Sequence, residues 1–326
     1  MEFEPKFSVI TASLGNLGDR FLPAGYKQEL TLEDKLESIS TIKHVTGVEL
    51  CYNAASDEKD GKKVAQLLDK YKLAATAVNA PLVSDKLWRF GTFSSPDKTV
   101  RQEAEEVTRC TIDFAEDVGA GIVNLWLGQD GFDYPFQVDY SCQWENTVKG
   151  IRACAKYKPN TRLCIEFKPR EPRNRALIDS ASTALLLQKE IGLENVGVTV
   201  DCGHILQTGS SLAQAVEFCA RQGRLFNLHL NDNYSSWDDD MIAGSVHLTE
   251  FLELLYVLRK VGYNGWCTVD IFPFREDAFR STEESIAYMV VYNRWVERVG
   301  IEKIRSLVND GDAVEVLRTI RTTLFA

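Results

Sequence analysis

Two hydrophobic rhythms alternate along the chain. Short, nearly continuous apolar runs are separated by longer stretches in which apolar residues recur every three or four positions. The first rhythm reads as strands covered on both faces, the second as amphipathic helices. The predicted strands are Phe7–Thr11, Val48–Leu50, Ala75–Val78, Ile122–Leu125, Leu163–Phe167, Val196–Val200, Leu225–Leu230 and Trp266–Ile271. The predicted helices between and after them are Leu32–Lys43, Glu58–Tyr71, Asp97–Val118, Cys142–Tyr157, Ser182–Ile191, Leu212–Gln222, Val246–Val261 and Thr282–Val299. Thr31-Leu32-Glu33-Asp34 and Ser95-Pro96-Asp97 are capping sequences, while Gly119, Gly192, Gly223 and Gly262 follow helices, where a left-handed residue is wanted.

Parallel neighbours need crossovers of helical length, so eight such units predict a parallel sheet, closed most economically into a (β/α)8 barrel. An open doubly wound sheet is the alternative, but no Gly-x-Gly-x-x-Gly follows the first strand. The expected organisation is a barrel domain over 1–299 and a helical extension over 300–326, built from Ile301–Leu307 and Asp312–Thr323. A chain of 326 residues is long for one domain yet ordinary for an α/β barrel.

Composition narrows the function. A formal net charge of −10 and the lack of a basic stripe oppose a nucleic-acid partner and are compatible with a small neutral substrate and a bound cation. There is no run of about 18 apolar residues, so no membrane span is expected. The charged start Met1-Glu2-Phe3-Glu4-Pro5-Lys6 lacks a hydrophobic signal region. Eight cysteines without a Cys-x-x-Cys pair read as free thiols in a reducing cytoplasm.

The chemistry concentrates where apolar runs end. Glu166, Asp201, His229 and Asp270 stand at the ends of four consecutive predicted strands. Barrel active sites are built from those ends. Three carboxylates and an imidazole around one point would repel strongly, and a divalent cation is their natural neutraliser. This donor set favours Mn²⁺ or Mg²⁺, with Co²⁺ possible, over zinc. A second ion is suggested by His204, three residues after Asp201, and by the Asp238 and Asp240 pair, with Asp201 bridging. Lys168 lies two residues beyond Glu166 and so faces the same way, as a proton donor or a hydrogen-bond partner for a substrate oxygen. Trp126 and Phe93 offer flat apolar rings to a sugar, or lid packing.

These segments resemble a family, the metal-dependent aldose–ketose isomerases of the xylose isomerase and L-rhamnose isomerase type. Glu166-Phe167-Lys168-Pro169-Arg170-Glu171-Pro172-Arg173 is similar to its strand-five motif. Asp201-Cys202-Gly203-His204, and His229-Leu230-Asn231-Asp232 with Asp238-Asp239-Asp240, resemble the rhamnose isomerase subgroup. Asp270 with Pro273, Arg275, Glu276 and Asp277 looks like the family's strand-eight end. The resemblance implies a structural metal held by Glu166, Asp201, His229 and Asp270, and a catalytic metal held by His204, Asp238, Asp240 and bridging Asp201. It implies catalysis by Lys168, Asp201 and Glu166, with Trp126, Phe93, Lys168 and His204 around the sugar. Hydride would pass between C1 and C2 of an unphosphorylated monosaccharide, in a homodimer or homotetramer. The chain departs from the family at strand two, where Gly47-Val48-Glu49-Leu50-Cys51-Tyr52 lacks the histidine used in ring opening. Either the ring opens in solution, or the substrate is short or branched. Ketose 3-epimerisation on a single metal is the alternative activity. A nuclease of the endonuclease IV type would need more than four histidines and a basic face.

Overall fold

Residues 4–53, 59–171 and 173–324 are described by a computed structural model of the protein. Eight parallel strands close into a barrel in chain order: β1 Lys6–Ile10, β2 Val45–Cys51, β3 Ala74–Asn79, β4 Ile122–Trp126, β5 Arg162–Glu166, β6 Val196–Asp201, β7 Leu225–Leu230 and β8 Trp266–Val269. The last strand pairs with the first, Lys6 opposite Trp266 and Val9 opposite Val269. This is the (β/α)8 TIM barrel that the alternating rhythm predicts.

Packing explains why the strands read as unbroken apolar runs. Val48, Val78, Val123, Ile165, Val198, Leu228 and Val269 are fully buried, covered by barrel side chains on one side and helices on the other. Each such side chain contributes about 1.5–3 kcal/mol of burial. The helices obey the capping sequences. Thr31 and Asp34 form a reciprocal capping box, and Asp97 accepts from the Thr99 amide. The predicted start at Glu58 lies outside the described residues; the helix there is described from Gly61 to Tyr71, capped by Asp60.

Three local features depart from the expectation. β2 begins three residues earlier than predicted, at Val45, after His44 adopts a left-handed φ of 71°. A one-turn helix, Cys202–Leu206, follows β6 directly. Gly131–Phe132 and Arg175–Ala176 pair antiparallel across the barrel mouth. Turns and two-residue strands leave no periodic trace, so sequence pattern misses them. Beyond the barrel, Ile301–Asp310 and Ala313–Leu324 pack back on the helix Ala278–Val299, where the Trp295 indole donates to Thr323 Oγ1 at 2.8 Å. Among the described residues no helix is long and apolar enough to cross a membrane.

Candidate metal centre

Strand register assembles the site. Trp126 pairs with Glu166, and Asp201 pairs with His229. Asp270 follows β8 immediately, its amide hydrogen-bonded to the Leu230 carbonyl. Glu166, Asp201, His229 and Asp270 therefore converge, each offering a ligand atom within 4.8 Å of the others. A second group, Asp201, His204 and Asp238, meets the same criterion and shares Asp201 with the first. All of these side chains are buried except Asp270, which is partly exposed.

The short helix carries the second group. Asp201 caps it, accepting from the His204 amide at 2.9 Å. Gly203 permits the crowding around it. A Cβ there would lie 2.4 Å from Asp238 Oδ1 and 2.5 Å from Asn231 Oδ1, and the Gly203 amide itself donates to Asn231. The loop bearing Asp238 is bracketed by antiparallel bonds between Asp232 and Met241. Buried Asp232 accepts from His247 Nδ1 at 2.7 Å, and His247 Nε2 lies 3.1 Å from Ser235 Oγ. His247 thus braces the loop. Asp240 stands beside this group but outside it, 3.4 Å from Asn231 Nδ2 and at a left-handed φ of 46°.

Electrostatics records the crowding. Burial works against a charged imidazole at His229, yet Glu49 and Glu166 hold its pKa well above the ordinary value. His204 is likewise raised to about 9, because Asp201 and Asp238 outweigh burial. Burial, with Asp238 and Glu166 adding repulsion, lifts Asp201 to about 7. Burial and Asp238 also push the Asp240 carboxyl well up. For Glu166 burial is overcome by His229, and the pKa falls to about 2.

The donor set fits a divalent cation on a further observation. Among the described residues, buried His229 Nδ1 and Asp270 Oδ1 have no hydrogen-bond partner of good geometry. Leaving such atoms unsatisfied costs about 1–3 kcal/mol each. Nδ1 lies only 3.1 Å from Asp270 Oδ2 and 3.5 Å from Glu166 Oε1, so several donors face one small space.

Lys168 reaches the second group. Its ammonium is 2.8 Å from Asp238 Oδ2, 2.5 Å from Glu171 Oε2 and 5.0 Å from the centre of the Trp126 ring. Phe93, by contrast, is fully buried and packs against Gly150, the position of a core residue. Asp130 pins its segment by accepting from the Thr92 and Ser94 amides. Beside Glu171 an open groove of ≈ 690 Å³ runs along the mouth, bordered by Arg89, Phe90, Phe132 and Arg173.

Sequence reasoning passed over Glu49. It is 0 % exposed inside the barrel, with its oxygens 3.1 and 3.2 Å from His229 Nε2. The available signal was an acid inside an otherwise apolar run, since carboxylates are almost never buried without a partner.

The profile of a family described as Xylose isomerase-like TIM barrel matches residues 43–290. Xylose isomerase of Thermus thermophilus is 28% identical over 210 residues, which cover 63% of this chain and 54% of that protein. The chain thus spans about half the length of this curated relative. Among solved structures, D-psicose 3-epimerase of Clostridium cellulolyticum H10 superposes with a TM-score of 0.70 at 16% identity, covering 88% of this chain and 99% of that one. An L-ribulose 3-epimerase gives 0.73 at 16%, covering 90% and 96%. At such identities the likeness is one of fold.

Proposed function

The chain belongs to the xylose isomerase-like TIM barrel family, and from that premise we propose that it is a divalent-metal-dependent aldose–ketose isomerase acting on an unphosphorylated monosaccharide. The observation that carries this reading is the pair of clusters joined at Asp201, with Lys168 on the rim of the second. Glu166, Asp201, His229 and Asp270 would hold one ion. Asp201, His204 and Asp238 would hold another, with Asp240 alongside. Oxygen-rich donors with an imidazole suit Mn²⁺ or Mg²⁺, and Co²⁺ also. A bound divalent cation supplies Lewis-acid polarisation of the sugar's carbonyl and hydroxyl oxygens.

Conversion of an aldose to its ketose moves hydride from C2 to C1, removes a proton from O2 and delivers one to O1. Lys168 is the group of this chain suited to the O1 end, as a hydrogen-bond donor where negative charge develops. Burial disfavours its charge, but Asp238, Asp240 and Glu171 more than compensate and hold it protonated. Asp238 and Glu171 also fix its direction, so it donates from a set position. Trp126 beneath the ammonium gives the sugar's C–H face an apolar surface and keeps water away.

The test is turnover of C4–C6 aldoses and ketoses with Mn²⁺ or Co²⁺, with products read by NMR in D₂O. Interconversion at C1 and C2 with little deuterium uptake is expected. Failure of every sugar to react in the metal-loaded protein would refute the reading. The similarity to two 3-epimerases favours a second reading, ketose 3-epimerisation with proton transfer on one ion. Its signature is a ketose inverted at C3 that carries deuterium there. Self-association as a dimer or tetramer belongs to the same proposal, since Val308, Val314 and Leu317 expose apolar surface on the C-terminal helices. Sedimentation as a monomer would remove it.

A further inference from the structure

Glu49 lies inside the barrel, and among the described residues no lysine or arginine is one of its hydrogen-bond and ion-pair partners. Those partners are His229, Asn227 and Asn79. A buried carboxylate is tolerated only when its lone pairs are taken up. Asn79 Nδ2 donates to Oε1 at 2.8 Å and Asn227 Nδ2 to Oε2 at 3.1 Å, so neither oxygen can turn away from the His229 ring.

A neutral imidazole carries one proton, and two arrangements compete for it. Asn227 Nδ2 also lies 3.1 Å from His229 Nε2. Were Nε2 bare, it could accept from Asn227, and the proton would sit on Nδ1. An N–H would then point at Glu166, Asp201 and Asp270, where a cation needs a lone pair. With Glu49 present, the Nε2–H and the Asn227 amide both donate to its carboxylate, and Nδ1 is left bare toward the carboxylates. Nδ1 then faces Asp270 Oδ2 at 3.1 Å and Glu166 Oε1 at 3.5 Å.

The bracing continues across the barrel. Asn124 Nδ2 donates to Asn79 Oδ1 at 2.8 Å and to Glu166 Oε2 at 2.5 Å, while Asn124 Oδ1 accepts from Thr199 at 2.7 Å. A belt running His229–Glu49–Asn79–Asn124–Glu166, over β7, β2, β3, β4 and β5, therefore connects two members of the first cluster, His229 and Glu166.

We propose that Glu49 is a positioning residue: it keeps the proton of His229 on Nε2, presents Nδ1 to the first cluster, and thereby sets that cluster's affinity for a divalent cation. This rests on the metal-centre reading given above. Partners of this kind behind a metal-ligating histidine typically change affinity by about 10–100-fold.

Two measurements test it, neither of which needs the sugar. In Mg²⁺-loaded protein labelled with ¹⁵N-histidine, the His229 ring, identified by its loss in His229→Ala, should carry its proton on Nε2. A proton on Nδ1 overturns the proposal without recourse to any Glu49 variant. Titration of metal-free protein with Mn²⁺ should show Glu49→Leu binding about 10–100-fold more weakly than wild type. Glu49→Gln, which keeps an acceptor oxygen, should lose less. Wild-type affinity in folded Glu49→Leu, alongside lost binding in His229→Ala, overturns the role of Glu49 alone. Undiminished binding in His229→Ala overturns the metal-centre reading, and the proposal with it.

Discussion

The two clusters share Asp201 but are built in different ways. Glu166, Asp201, His229 and Asp270 stand at strand ends or next to one, and behind them lies a buried layer of amides and Glu49. His204 and Asp238 come instead from a one-turn helix and a loop. The two histidines show the contrast. His229 backs onto a carboxylate through Nε2, whereas His204 places Nδ1 2.8 Å from the Phe167 carbonyl and turns Nε2 toward Asp238 at 3.2 Å. The second cluster also holds a cation of its own, because Lys168 occupies one side of Asp238. On the proposed reading, rigid elements and charged backing would make a tight holder, and a loop with an internal counter-ion a weaker, exchangeable one.

The largest effect should come from the residue that abolishes the comparison. Asp201→Asn removes a donor from both clusters, and turnover should fall at least about 10³-fold, some 4 kcal/mol of transition-state stabilisation. Wild-type rates in that variant would sink the two-cluster account. Lys168→Met should separate chemistry from holding, with turnover down about 10²–10³-fold. Mn²⁺ affinity should not fall in that variant, because a competing positive charge beside Asp238 is gone. Parallel losses of both would show that Lys168 serves only the loop. Gradual chelation with EDTA should empty the clusters in order, the second first, with two separable steps in bound metal. A single step would make the two equivalent. Gly203→Ala should be the mildest, costing about 1–3 kcal/mol of stability as Asp238 and Asn231 are pushed aside. Its binding defect should be confined to the weaker ion, and equal damage to both ions would contradict the division.

Legibility in the sequence followed the same division. Glu166, Asp201, His229 and Asp270 were readable because an apolar run that stops at a charged residue marks a strand end, and the register brought them together. His204 and Asp238 were readable as ligand types, though not the one-turn helix that aims His204, since five residues carry no period. Asp240 looked equivalent to Asp238, yet the chain turns left-handed at Asp240 and leaves it beside the group. Phe93 looked like a mouth residue from its place before a helix start, but a close-packed glycine of a neighbouring helix receives it. Glu49 escaped because its partner is 180 residues away, and neither strand alone shows that an acid and an imidazole will meet.

The buried belt also bears on how such a barrel can diverge. Glu49, Asn79, Asn124 and Glu166 are joined in series, so each satisfies a neighbour that would otherwise be stranded. A replacement at one position strands its bonded neighbours, and a neutral route through sequence space must change more than one member at once. Arg89, Phe90, Phe132 and Arg173 at the mouth stand outside that belt. On the proposed reading, new sugars would be acquired by rewriting loops around a nearly frozen floor, and Arg89, Phe90, Phe132 and Arg173 along the groove are where a change of preference would begin.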